Sequence, residues 1–199
     1  MTSVAAAVLE ALAIEPATTV DDQTLVAQAL AGRCEAFGTL VERYDRAVYH
    51  LAYRTLRDSE EARDAAQEAF FKAFRSLRTF RPEAKFSTWI FSITYHACCD
   101  RLGRRKRYSN EELPERADPG AGPEQEAIAG DEAKRLRAAV ARLPEKYRSV
   151  ITLYHLQGRQ YNEVAEVLGI PIGTVKTHLF RAKEQLRRLL NETATGARQ

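Results

Sequence analysis

The chain has 199 residues, 45% apolar and 29% charged, a balance that excludes a wholly disordered polypeptide and leaves room for one large domain or two compact ones. No stretch approaches the ~20 consecutive apolar residues a membrane span needs, and the Ala-rich residues 1–14 lack the basic start and long apolar run of a secretion signal. The net charge of +3 hides a polarised distribution: Arg101, Arg104, Arg105, Lys106 and Arg107 crowd one stretch, and Glu111, Glu112, Glu115, Asp118, Glu124 and Glu126 the next.

In chain order, residues 1–20 end in a loop-like Glu-Pro-Ala-Thr-Thr composition and read as a frayed or disordered extension. Order is expected from Asp21. Between there and Leu56, apolar residues recur at three- and four-residue intervals on both sides of Gly32, which predicts helix, turn, helix. Asp58, with Glu61 three residues on, predicts a capped start to a third helix whose stripe runs through Ala62, Ala65, Ala66, Ala69, Phe70, Ala73, Phe74 and Leu77. That helix should stop before Pro82. Residues 78–86 then form a loop, with Ser87 placed to cap a fourth helix that ends in the basic run.

From Ser109 to about Gly122 periodicity gives way to prolines, glycines and acids, which predicts a flexible linker. Beyond it, Ile128, Leu136, Val140 and Leu143 outline one helix, and Pro144 opens another. Shorter helices follow over 162–168 and about 173–190. No segment alternates like a strand. The fold class is therefore all-α: two small helical domains, 21–108 and 125–190, joined by an acidic linker over 109–124, with 191–199 as a disordered tail.

The strongest local pattern runs from Tyr161 to Lys176. Small Ala165 allows close helix approach, Gly169 permits a sharp turn, and Ile170 and Val175 can pack a second helix on the first. This is a helix-turn-helix pattern. Its second helix offers Thr174, Lys176, Thr177, His178, Arg181 and Lys183 outward while Val175, Leu179, Ala182 and Leu186 face inward. Short polar and basic side chains on an exposed helix suit the DNA major groove. His178 is divided evenly between a base contact and a phosphate or solvent role.

The three cysteines, Cys34, Cys98 and Cys99, have no metal-ligand spacing, and their odd number fits reduced thiols in a cytoplasm. Burial of Cys98 and Cys99 in a helix core is favoured over oxidant sensing.

The order of parts resembles the extracytoplasmic-function (ECF) sigma factors of bacterial RNA polymerase. Asp64, Gln67, Glu68 and Phe71 share a helix face; Ser-Thr-Trp stands at 87–89; Asp-Arg-Leu-x-Arg-Arg begins at Asp100; Leu-Pro-Glu-Lys-Tyr-Arg spans 143–148; and the helix-turn-helix follows. The resemblance covers about 21–190. It implies a non-catalytic, cofactor-less promoter-specificity subunit in the cytoplasm that binds core RNA polymerase and promoter DNA and is held by an anti-sigma factor.

By that resemblance Asp64, Gln67, Glu68 and Phe71 contact polymerase. Arg81, Lys85, His96, Arg101, Arg104, Arg105, Lys106 and Arg107 meet the minus-10 element, and the second-helix residues named above meet the minus-35 element. Cationic and aromatic groups suit captured single-stranded bases. Trp89 is either a wedge against those bases or, with more weight, a core residue. His96 stands where many relatives have asparagine, and His178 where arginine is common, so the preferred promoter is open. Two rivals remain at this point: a conventional helix-turn-helix regulator that binds a palindrome without polymerase, and a metal-dependent nuclease using Asp64 and Glu68, which lacks further ligands.

Overall fold

The computed structural model describes residues 20–108 and 131–196, which are helices joined by turns, bends and short irregular stretches, with no strand among them. The expected N-terminal extension and acidic linker lie almost wholly outside the described residues.

Helix α1 (Asp22–Leu30) is capped by Asp21, whose carboxylate accepts from Thr24 N at 2.9 Å. Helix α2 (Cys34–Leu56) buries Phe37, Leu40, Val48, Leu51, Ala52 and Leu56 on one face. It ends on Arg57 at φ +59°, a left-handed position that a side chain occupies at a cost. Asp58 caps α3 (Ser59–Arg75), accepting from Glu60 N and Glu61 N at 3.0 Å each. The α3 stripe is mostly alanine: Ala62, Ala65, Ala66, Ala69 and Ala73 are buried, so the α3 backbone can sit close to α2 and α4. Phe74, expected within that stripe, is 45% exposed and touches Phe37 edge-on at the rim.

After a 3-10 turn (Leu77–Thr79) and a loop, α4 (Phe86–Tyr108) begins. Ser87 was expected at the cap. It lies instead inside the first turn and is buried, because the helix already starts at Phe86, whose ring fills the core beside Phe80 and Trp89. Trp89 is half-buried in that aromatic cluster, the core role expected for it.

The second group of helices comprises α5 (Asp131–Ala141), α6 (Glu145–Ile151), a π-helical turn (Thr152–Leu156), α7 (Tyr161–Leu168) and α8 (Ile172–Gly196). Pro144 precedes the first turn of α6. Leu136 is more exposed than its place in the α5 pattern implies. Arg148 is buried, and its Nη1 donates to the carbonyls of Leu143 at 2.8 Å and Ala141 at 3.2 Å. It thereby satisfies the C-terminal end of α5, where helix carbonyls lack partners of their own.

Gly169 ends α7 at φ +65°, and Ile170 N reaches back to Ala165 O at 3.1 Å, closing the turn of the helix-turn-helix. Helix α8 buries Val175, Leu179, Ala182 and Leu189 and continues six residues past the expected stop at 190. No glycine or proline interrupts 191–195, so no residue there breaks the helix.

The two groups pack on one another. α7 lies against α4, and α6 and the π turn lie against α2. Tethering alone does not imply this contact, and periodicity carries no sign of it.

Candidate functional site

On α3, the acidic–aromatic face is solvent-accessible. Asp64, Gln67 and Glu68 are exposed, and Phe71 is 62% exposed with Arg75 over its ring at 5.5 Å. A large ring left in water next to carboxylates marks a contact surface better than a core. Phe74 extends the apolar part of this face, a residue the sequence pattern had assigned to the interior.

The basic run of α4 divides. Arg101 Nη2 binds Glu68 Oε2 at 2.6 Å, and Arg105 Nη1 stands 3.5 Å from Glu61 Oε2. These two arginines, expected to hold DNA backbone, lean on α3 and offset the repulsion between its carboxylates. Arg104 and Arg107 remain exposed, their Nε atoms turned to carbonyls one turn back. The Lys106 side chain lies outside the described residues. Arg81 is exposed in the loop before α4.

Lys85 and His96 are the residues whose setting differs most from expectation. Lys85 Nζ pairs with Glu163 Oε1 of α7 at 2.8 Å. The other oxygen of Glu163 accepts from Gln160 N at 2.8 Å, so one carboxylate both caps α7 and ties it to α4. Burial pushes the Glu163 pKa up, but Lys85 and the Gln160 N–H outweigh it and hold the group below its ordinary 4.5. His96, with Nδ1 2.7 Å from Ser92 O, lies beside the α7–α8 turn: a Cβ added to Gly169 would come 4.0 Å from its Nε2.

Three more contacts complete the docking. Arg159 Nη1 donates to Ser87 Oγ at 2.7 Å while its guanidinium lies 4.7 Å from the Phe91 ring centre. The Tyr95 hydroxyl donates to Glu145 at 2.9 Å, and Gln157 Nε2 donates to Ala47 O at 3.1 Å. Lys85 and His96 of the expected minus-10 surface thus stand, still exposed, at the edge of the contact with the helix-turn-helix half. Sequence reasoning missed Tyr95, Gln157 and Arg159, since their partners lie 50 to 110 residues away.

On α8, Lys176, Thr177, Arg181 and Lys183 are exposed and Thr174 is half-exposed. His178 is less open than expected. Its ring packs edge-on against Tyr147 at 5.5 Å, and burial with Lys146 and Arg181 nearby pushes its pKa down, so it is a neutral wall of the helix base. Phe180, 67% exposed, stands on the same helix and was not singled out. Cys98 is fully buried, which pushes its thiol up to about 12, and burial likewise raises half-buried Cys99. These two are poor thiolates. Cys34 is exposed.

Fold and surfaces define a two-part helical protein whose second half is a helix-turn-helix with an exposed basic second helix. Comparison with known proteins makes the class specific. Residues 40–108 match the Sigma-70 region 2 family and residues 133–186 the Sigma-70 region 4 family. The chain is 33% identical over 178 residues to the ECF RNA polymerase sigma factor SigW of Bacillus subtilis, covering 84% of this chain and 95% of that one. It is 37% identical over 178 residues to SigM of Mycobacterium tuberculosis, covering 88% and 87%. CnrH, solved in complex with the cytosolic domain of CnrY, superposes with a TM-score of 0.65 at 28% identity over 86% of this chain and 97% of CnrH. The chain belongs to the ECF sigma factors of RNA polymerase.

Proposed function

We propose that core RNA polymerase binds this chain chiefly through the α3 face, with Asp64, Gln67, Glu68 and Phe71 as contacts and Phe74 as their extension. The observation that carries the reading is the exposure of that acidic–aromatic face in a conformation where the two halves are otherwise closed on each other. Residues 21–108 serve as the core-binding and minus-10 domain and 125–190 as the minus-35 domain, with 109–124 as the connection. Arg81, Lys85, His96 and the exposed arginines of α4 meet the melted strand, where captured bases offset the cost of unpairing. Thr174, Lys176, Thr177, Arg181 and Lys183 meet the upstream duplex. The chain adds no catalytic step, acts in the cytoplasm, and responds to stress through release from an anti-sigma protein. That CnrH is solved with the cytosolic domain of CnrY supports such a partner.

Since Lys85 is paired with Glu163 of α7, its engagement of the melted strand requires that pair to break. Holoenzyme rebuilt from core and this chain, offered random promoter DNA, should initiate at a minus-35/minus-10 consensus. Glu68→Lys should cut core binding at least about tenfold, equivalent to 1.4 kcal/mol, while the isolated chain's binding to DNA is unchanged. Absence of initiation at every selected promoter, together with tight palindrome binding by the chain alone, overturns the reading.

A further inference from the structure

Between the outer face of α2 and the π turn lies a cleft of about 470 Å³. Arg46, His50 and Arg54 line one wall at helical spacing; Thr152, Gln157 and Arg159 line the other. Arg43 stands at its edge, held by Asp22, and no carboxylate lines the cleft. His50 loses proton affinity to burial and then to Arg54 and Arg46, a sign that the field there is positive. The opposite wall carries polar atoms that are buried and have no hydrogen-bond partner among the described residues: Thr152 Oγ1, Gln157 Oε1 and Arg159 Nε. Thr152 is only 1% exposed. A buried donor with no partner costs about 1–3 kcal/mol, and here two of the three, Thr152 and Arg159, can donate.

We infer that this cleft is a binding site for a small ligand bearing a chain of phosphates, held between the arginines of α2 and the polar groups around the π turn. Guanidinium forks match phosphate oxygens in pairs, which a single carboxylate ligand would not exploit as fully. The volume suits a di- or triphosphate rather than a longer polymer. Phe91 is buried beneath Arg159, so the cleft offers no open aromatic face for a base. Recognition rests on phosphate, and inorganic tripolyphosphate and a nucleoside triphosphate should bind within a few-fold of each other. Since one wall belongs to each half, the ligand stabilises the closed arrangement by mass action.

Calorimetric titration of the full chain with sodium tripolyphosphate and, separately, with ATP, at about 0.15 M salt, tests this. Saturable binding is expected, with a smaller radius of gyration by solution scattering when bound. Arg46→Glu should weaken binding at least about tenfold, whereas Arg78→Glu, in the exposed 3-10 turn and no part of the cleft lining, should leave it unchanged. Thr152→Val should weaken binding several-fold while leaving the melting temperature of the unliganded chain the same or higher, because it removes a buried hydroxyl without a partner. ATP binding tightly while tripolyphosphate does not would overturn recognition by phosphate alone. Equal losses for Arg46→Glu and Arg78→Glu, no compaction on binding, or a short DNA single strand binding more tightly than tripolyphosphate through Arg46, would overturn the proposal.

Discussion

Glu163 and Arg148 show how far one side chain's role is set by partners distant from it. Arg148 belongs to the Leu-Pro-Glu-Lys-Tyr-Arg run that resembles the family, and its task here is to close the end of α5 from within the core. Arg148→Ala should lower stability by about 2–3 kcal/mol, since two buried carbonyls lose their donor. Thermal unfolding by circular dichroism checks this, with Arg148→Lys recovering only part because an ammonium lacks the planar fork. Glu163 gives a pH signature. Its folded pKa lies below 4.5, so its contribution to docking is fully present above that pH and is lost as pH falls through the lowered value. Scattering should show the halves loosening in that acid window. Glu163→Gln should be loosened already at neutral pH and lack the acid step.

At the scale of elements, the helices were legible because each carries its own punctuation. Asp58 capping α3, the alanine stripe behind it and Gly169 closing α7 are local features with local causes, and the structure has all three. Gly169→Ala should cost about 1 kcal/mol by forcing a Cβ into the left-handed region. The converse holds at the end of α2, where Arg57→Gly should raise stability by up to about 1 kcal/mol, read as a higher melting temperature. Ser87 was misjudged because serine favours caps, yet Phe86 was the residue that had to enter the core, and packing outweighs a cap preference. Arg101 and Arg105 looked like DNA ligands as part of a run. Helical geometry turns them toward α3, while Arg104 and Arg107 point away.

For the whole molecule, the sequence shows two helical halves but not that they close. One apolar core runs through both halves, and the polar contacts that fix their closure are single: Lys85 with Glu163, Arg159 with Ser87, Tyr95 with Glu145, Gln157 with Ala47. Lys85 is well exposed, and a pair of this kind contributes at most about 1 kcal/mol. Raising salt from about 0.1 to 1 M should expand the chain in solution scattering, since screening shortens the reach of these charges; unchanged dimensions would mean that apolar packing dominates the closure.

The π turn at Thr152–Leu156 fixes the phase of that closure. Gln157 N binds Thr152 O, five residues back rather than four, so the turn carries one residue more than an α-helix needs. Deleting one residue there would shorten the chain by almost nothing, yet rotate everything after it by about 100° relative to α6. Gln157 and Arg159 would swing off α2 and α4. The helix-turn-helix would remain folded and the tether intact, but the two halves would be out of step, like a key cut correctly and inserted a notch too far round.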